Sequence, residues 1–258
     1  MQPRNRPDSA DRTDNPSEPT DFTDDTFFNG LLCVKQQRTG YRFSIDAVIL
    51  ADHVRPREDE RILELGTGCG IVLLMLAFRN PKAHYFGVEI QSDLYKLAAE
   101  NVKRNQMQGC IRLFGQNMTK LKPGLIDGPV DMVISNPPYR KIDSGRINPN
   151  HQKAVARHEI KLTLSDLFSV VRRMLRTAGR FVAVYTAERT SEFMLEMKTA
   201  GIEPKYLRVV YSAWNTEAKL ILIEGVKGAR SGCKIGPPLV VYNDDGTYTD
   251  EVAEMFKP

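Results

Sequence analysis

The tetrapeptide Asn136-Pro137-Pro138-Tyr139 constrains this 258-residue chain more than any other stretch. It follows the apolar run Val130-Asp131-Met132-Val133-Ile134-Ser135, which reads as a buried strand closed by a turn signal. Two prolines cannot continue a central strand, because each ring removes a ladder donor. The residue before a proline is also pushed out of the helical region. Asn136 is therefore expected in extended backbone at the strand's carboxyl end, where open α/β sheets bind ligands. An amide, a stiff carbonyl and an aromatic ring together suit the grip of a flat, nitrogen-bearing group. A plain strand-ending turn is the competing reading.

Upstream, a strand Arg61–Leu65 runs into Gly66-Thr67-Gly68-Cys69-Gly70 and then an apolar helix from Ile71 to about Arg79. Glycines here admit positive φ and let backbone approach a ligand closely. The next strand, Ala83–Val88, ends in Glu89, about 20 residues beyond the glycines, where an acidic side chain binds ribose hydroxyls. A dinucleotide fingerprint places its third small residue where this chain has Ile71. A nucleoside ligand without a pyrophosphate fits better.

The remaining elements fall on either side. Phe27–Gln37 reads as a strand or hairpin, and Ser44 caps a short helix, Ile45–Val54, with Asp46 in its first turn. A helix opens at Gln91-Ser92-Asp93, and a strand Cys110–Phe114 leads to Asn117, placed to bond an adenine edge or to cap the next turn. A long aperiodic stretch from Tyr139 to about Leu162 carries Arg140, Lys141, Arg146, His151, Lys153, Arg157 and His158. A loop of that length is usually functional or disordered, and its basic side chains suit phosphate contacts or a solvated lid. Thr163 or Ser165 caps a helix to about Thr177, which Gly179 ends; a strand Arg180–Tyr185 and a helix Thr190–Ala200 follow. Tyr206–Tyr211 and Lys219–Glu224 read as an added antiparallel hairpin.

Composition sets limits. Phe22 is the only large apolar residue between Gln2 and Asp25, so residues 1–25 are expected as a disordered leader. Residues 26–258 then form one domain: 26–56 an N-terminal hairpin and helix cap, 57–226 the core, and 227–258 a C-terminal extension. No apolar run approaches the roughly 18 residues of a membrane span. Four scattered cysteines and four histidines show no metal-ligand spacing, so no metal is expected. The net charge of +4 permits a nucleic-acid partner without requiring one.

Seven strands, with helices between the first five and a terminal hairpin, resemble the class I S-adenosylmethionine (SAM)-dependent methyltransferases. That resemblance implies an α/β, Rossmann-like fold: a seven-stranded, mostly parallel sheet with a C-terminal antiparallel hairpin and helices on both faces. Leu63 through Gly70, Glu89 and Asn136-Pro137-Pro138-Tyr139 look like the cofactor loop, ribose acid and amino-methyltransferase signature of that superfamily. Gln36 through Gly40 to Ala47, Ala156-Arg157-His158-Glu159 and Tyr248-Thr249-Asp250-Glu251 are similar to the bacterial tRNA adenine methyltransferases that act beside the anticodon of a valine tRNA. The resemblance covers about Phe27 to the C-terminus. It implies SAM contacts from Arg42, Asp46, Glu64, Gly66, Gly68, Gly70, Glu89, Asn117 and Asn136, and catalysis by Asn136, Pro137 and Tyr139. It also implies RNA contacts from Arg140, Lys141, Arg157 and His158, and a cytoplasmic enzyme, monomeric or homodimeric. Asn117 stands where that family commonly has an acidic residue. The same core motif is similar to release-factor glutamine methyltransferases and to guanine-amino methyltransferases of ribosomal RNA. A SAM- and RNA-binding module without chemistry is the non-enzymatic alternative.

Overall fold

The computed structural model describes residues 22–38, 42–137 and 162–258. In chain order the elements are β1 (Phe22–Phe27), β2 (Leu32–Gln37), α1 (Ile45–His53), β3 (Arg61–Leu65), α2 (Ile71–Arg79) and β4 (His84–Glu89). Next come α3 (Ser92–Arg104), β5 (Ile111–Gly115), β6 (Val130–Ser135), α4 (Leu164–Met174), β7 (Leu175–Thr186) and α5 (Thr190–Thr199). The chain closes with β8 (Ile202–Tyr211), β9 (Ala218–Lys227), β10 (Lys234–Ile235), β11 (Leu239–Val240) and α6 (Asp250–Glu254).

The main sheet runs β10-β8-β9-β7-β6-β3-β4-β5, with β11 also pairing β8. β5, β4, β3, β6 and β7 are parallel, and β9 is antiparallel to both β7 and β8. These are the seven expected strands; β10 and β11 add two residues each, parallel to β8. Helices cover both faces, so β3 and β6 bury almost every residue instead of alternating. Ile62, Met132 and Val182 pack with α1, α2, α3 and α6 on one face. Leu63, Val133 and Phe181 pack with α4 and α5 on the other.

Two sequence expectations are corrected. The leader's boundary at 25 is too late, because β1 already begins at Phe22. The chain recruits its acidic residues as anchors: Asp24 pairs with Arg104, Asp25 pairs with Arg42 at 3.2 Å, and Lys35 lies over the Phe22 ring. Residues 1–21 of the expected leader lie outside the described residues. The helix expected to reach Thr177 ends at Met174, and Leu175 already pairs with Val130. Register then jumps to Met132–Arg180, a bulge that the 3.6-residue apolar spacing hides. Asp131 holds the bulge, since one carboxylate oxygen accepts from the Arg61 amide at 2.9 Å and the other from the Arg176 guanidinium. Gly179 fills the bulge rather than ending a helix; a Cβ there would lie 2.9 Å from the Arg176 carbonyl. Thr163, not Ser165, caps α4, through a reciprocal pair of bonds with Asp166.

Candidate functional site

Sheet register brings three strand ends together. Leu65 pairs with Val88 on one side and with Ser135 on the other. The glycine turn after Leu65 therefore sits between Glu89, which closes β4, and Asn136, which follows β6. The chain winds outward from β3 through β4 to β5 and then returns to β6 on the opposite side, so β3 and β6 bound the crevice of the topological switch point. The Ser135 hydroxyl donates to the Leu65 carbonyl at 2.9 Å and fixes the two strand ends to each other.

The turn's backbone explains its composition. Gly66, Gly68 and Gly70 have φ of +78°, +57° and +89°, which L side chains rarely adopt. A Cβ at Gly66 would meet nothing within 4 Å, so the turn faces open space on that side. Glu89 is buried and accepts from the Gly68 amide at 2.9 Å through one oxygen and from the Gln91 amide at 2.8 Å through the other. It is thereby clamped across the mouth of the turn with carboxylate lone pairs left to accept from a ligand. Glu64 is buried below, its carboxyl accepting from the Thr67 hydroxyl. Burial, opposed by that hydrogen bond and reinforced by Glu89, pushes Glu64 up to about 8. A turn of positive-φ glycines open on one side, a clamped carboxylate and a second buried acid together fit a nucleoside bearing positive charge. Burial also pushes the Cys69 thiol up to about 12, which makes it a packing residue rather than a nucleophile.

Several supports escaped the sequence reading. Gly87 on β4 lies under the turn, where a Cβ would be 2.6 Å from Leu113 and 3.1 Å from the Thr67 hydroxyl. Asn101 on α3, fully buried, bonds both backbone groups of Lys35 at 2.9 and 3.0 Å and the Cys69 carbonyl at 3.0 Å. One helical turn on, Asn105 does the same for Cys33, at 3.0 and 2.7 Å. The two amides act as a surrogate strand that ties the β1–β2 hairpin to the glycine turn. An Asn pair at i, i+4 on a buried helix face was the available signal. Gln36, buried, accepts from the Phe43 amide at 3.1 Å and donates to Asp25, joining the hairpin to the entry of α1.

Other expected site residues land as follows. Arg42 spends its guanidinium on Thr23, Asp25 and the Gln37 carbonyl, bracing the hairpin. Asp46 is buried at the start of α1, accepting from the Ser44 hydroxyl and the Ala47 amide. Ser44 thus holds Asp46 instead of capping the helix through its own side chain. Asn117 accepts from the Thr119 amide at 2.9 Å and caps the short 3-10 turn Met118–Lys120. Asn136 is partly buried and Pro137 buried directly beyond β6. Tyr139, Arg140, Lys141, Arg157 and His158 lie outside the described residues. Among the described residues no cluster of three or more His, Cys, Asp or Glu could hold a metal ion, and no helix is long and apolar enough to cross a membrane.

A family model described as "Methyltransferase small domain" matches residues 42–203. Among curated proteins, the tRNA1(Val) (adenine(37)-N6)-methyltransferase of Dyadobacter fermentans is 25% identical over 226 residues, covering 87% of this chain and 92% of that protein. The protein of the same name from a Flavobacteriaceae bacterium is 31% identical over 198 residues, covering 70% and 80%. Among solved structures, a predicted O-methyltransferase from Agrobacterium tumefaciens superposes with a TM-score of 0.65 at 17% identity, over 81% of this chain and 94% of that one.

Proposed function

The chain belongs to the methyltransferase small domain family, and on that premise we propose that it methylates the exocyclic 6-amino group of an adenine in tRNA, beside the anticodon, with SAM as donor. The observation that carries this is the juxtaposition of the clamped glycine turn with Asn136-Pro137 across one strand pairing. Relatives that share most of the chain's length bear the name of that reaction, and the tRNA substrate is taken from them. Acting on tRNA, it is proposed as a cytoplasmic enzyme.

When bound, SAM supplies a methyl group already activated on a sulfonium, so neither a metal nor a protein nucleophile is required. Gly66, Gly68 and Gly70 would admit it closely, Glu89 would accept from its ribose hydroxyls, and Glu64 would add negative potential beneath the turn once it ionises as pH rises toward 8. The chain's harder task is the acceptor, because an adenine amine delocalises its lone pair into the ring. The Asn136 side-chain oxygen and the Pro137 carbonyl accept the two amino hydrogens and localise that lone pair, an electrostatic effect greatest in the transition state. Tyr139 stacks on the base, which must leave the anticodon-loop stack to enter the pocket. Arg140, Lys141, Arg157 and His158 meet phosphates, so replacing them flattens the salt dependence of RNA binding.

The test is transfer of labelled methyl from SAM to unmodified bulk tRNA and, in parallel, to a purified release factor. Label recovered as 6-methyladenosine supports the assignment. Label on protein moves the function to glutamine methylation, and label on neither overturns the tRNA substrate.

A further inference from the structure

The chain's single tryptophan, Trp214, stands two-thirds exposed in the turn between β8 and β9. A residue of that size is ordinarily well buried. The turn is held firmly: the Thr216 hydroxyl donates to the Ala213 carbonyl at 2.8 Å, and the Thr216 amide donates to it at 3.2 Å. Its place follows from register. β8 runs parallel to β7 and β6, so this turn leaves the sheet at the same end as Asn136. Ser135 pairs with Ala183, and Ala183 with Ile223, whereas β9 begins five residues earlier at Ala218. At roughly 3.3 Å per residue the turn rises more than 13 Å above the level of Asn136, and two to three strand spacings, about 10–14 Å, to one side.

Two more exposed rings lie near the base of this turn. The Tyr242 amide bonds the Ser212 carbonyl at 2.9 Å, which places Tyr242 beside the base of the turn. Tyr242 stacks on Tyr248 with centroids 5.3 Å apart, and both rings are more than a third exposed. The stack continues inward through Phe256 and Phe27 to Phe43, next to Ser44 at the entry of α1. The exposed rings are thus anchored in the core. Exposed Glu217 follows Trp214 by three residues and exposed Asp244 and Asp245 follow Tyr242 by two and three, so the ring faces rather than a basic patch are the attractive element here.

We propose that Trp214, with the Tyr242–Tyr248 pair, is a stacking platform for unpaired bases of the RNA substrate, placed to hold the loop whose target base enters at Asn136. The assignment rests on the tRNA reading above. Aromatic stacking tolerates any base, because every base presents a π-face. The platform therefore supplies affinity and register on the loop, not sequence readout.

The experiment uses the full chain, wild type and Trp214→Ala, with an anticodon stem-loop RNA. Stacking of about 1–3 kcal/mol per base corresponds to a roughly 5- to 150-fold rise in KM for RNA. Maximal rate and SAM affinity stay unchanged, and Trp214→Phe restores most of the loss. The slope of affinity against salt stays unchanged too, since no phosphate contact is removed. Titrating wild type with the stem-loop quenches the emission of the one tryptophan. Equal KM in Trp214→Ala, or wild-type emission that RNA does not quench, overturns the platform while leaving tRNA methylation standing. A concentration-dependent emission change with a doubled mass, RNA absent, assigns the surface to a second copy of the chain and overturns it equally. Failure of wild type to methylate any tRNA removes the underlying function instead.

Discussion

Replacing Glu64 by glutamine isolates a cost that the glycine turn imposes on the fold. The carboxyl is fully buried against the Thr67 hydroxyl, and its proton is held up to about 8 rather than the ordinary 4.5. The folded protein therefore binds one more proton than the unfolded chain between those two values. Stability contributed by the neutral acid is complete below pH 4.5 and is lost as pH rises through about 8, with a slope of about 1.4 kcal/mol per pH unit. Across the interval the loss reaches about 5 kcal/mol, of which about 3 is in place by pH 7. A neutral amide keeps the shape and the bond from Thr67 but never ionises. Glu64→Gln is expected to match wild type in denaturant unfolding near pH 5 and to exceed it by several kcal/mol at pH 8.5, while binding SAM at least about tenfold more weakly. Wild-type affinity for the cationic cofactor should in turn tighten as pH rises toward 8, and the variant's should not. A stability difference that stays flat from pH 5 to 8.5 would refute the buried-acid argument.

Asn136→Ala is expected to lower kcat by at least 100- to 1000-fold, the size of losing one aligned polar contact to the transition state. SAM binding by calorimetry should remain near wild type. Asn101→Ala removes three bonds at about 1 kcal/mol each, so unfolding stability should drop by about 3 kcal/mol. Amide exchange should rise selectively at Lys35, whose N–H loses its acceptor, and not at Cys33, which Asn105 still holds. Gly87→Ala forces a methyl against Leu113, Leu73 and the Thr67 hydroxyl; about 1–3 kcal/mol of stability should be lost. SAM affinity should fall with it, and a variant with unchanged affinity would show that the turn does not lean on β4.

Local chemistry in the sequence was enough to place the strand ends. Pro137 and Pro138 had to terminate a strand whatever surrounded them, and three alternating glycines could only be a turn of positive φ. Because β3, β4 and β6 are short and mostly apolar, their burial in a parallel sheet was also legible, and with it the side of the sheet that binds a ligand. What the sequence could not determine were choices made between equally good partners far apart in the chain. Asn117 suited a ligand or a cap, and the Thr119 amide supplies the partner for the cap. Arg42 suited a cofactor contact, yet Asp25 and Thr23 on the hairpin engage it. The leader's aspartates read as disorder until Arg104 and Arg42 gave them countercharges. The end of α4 moved because Asp131 stabilises a bulge that no helical period reveals. Nothing local assigns partners to Asn101 and Asn105; only the packing of α3 on β2 turns their amides into strand partners. Trp214 is a turn residue in sequence, and only the antiparallel return of β9 places it on the rim with Asn136. In each case the side-chain chemistry was visible, but the partner lay tens of residues away, and which partner prevails is a property of the folded packing rather than of any local pattern.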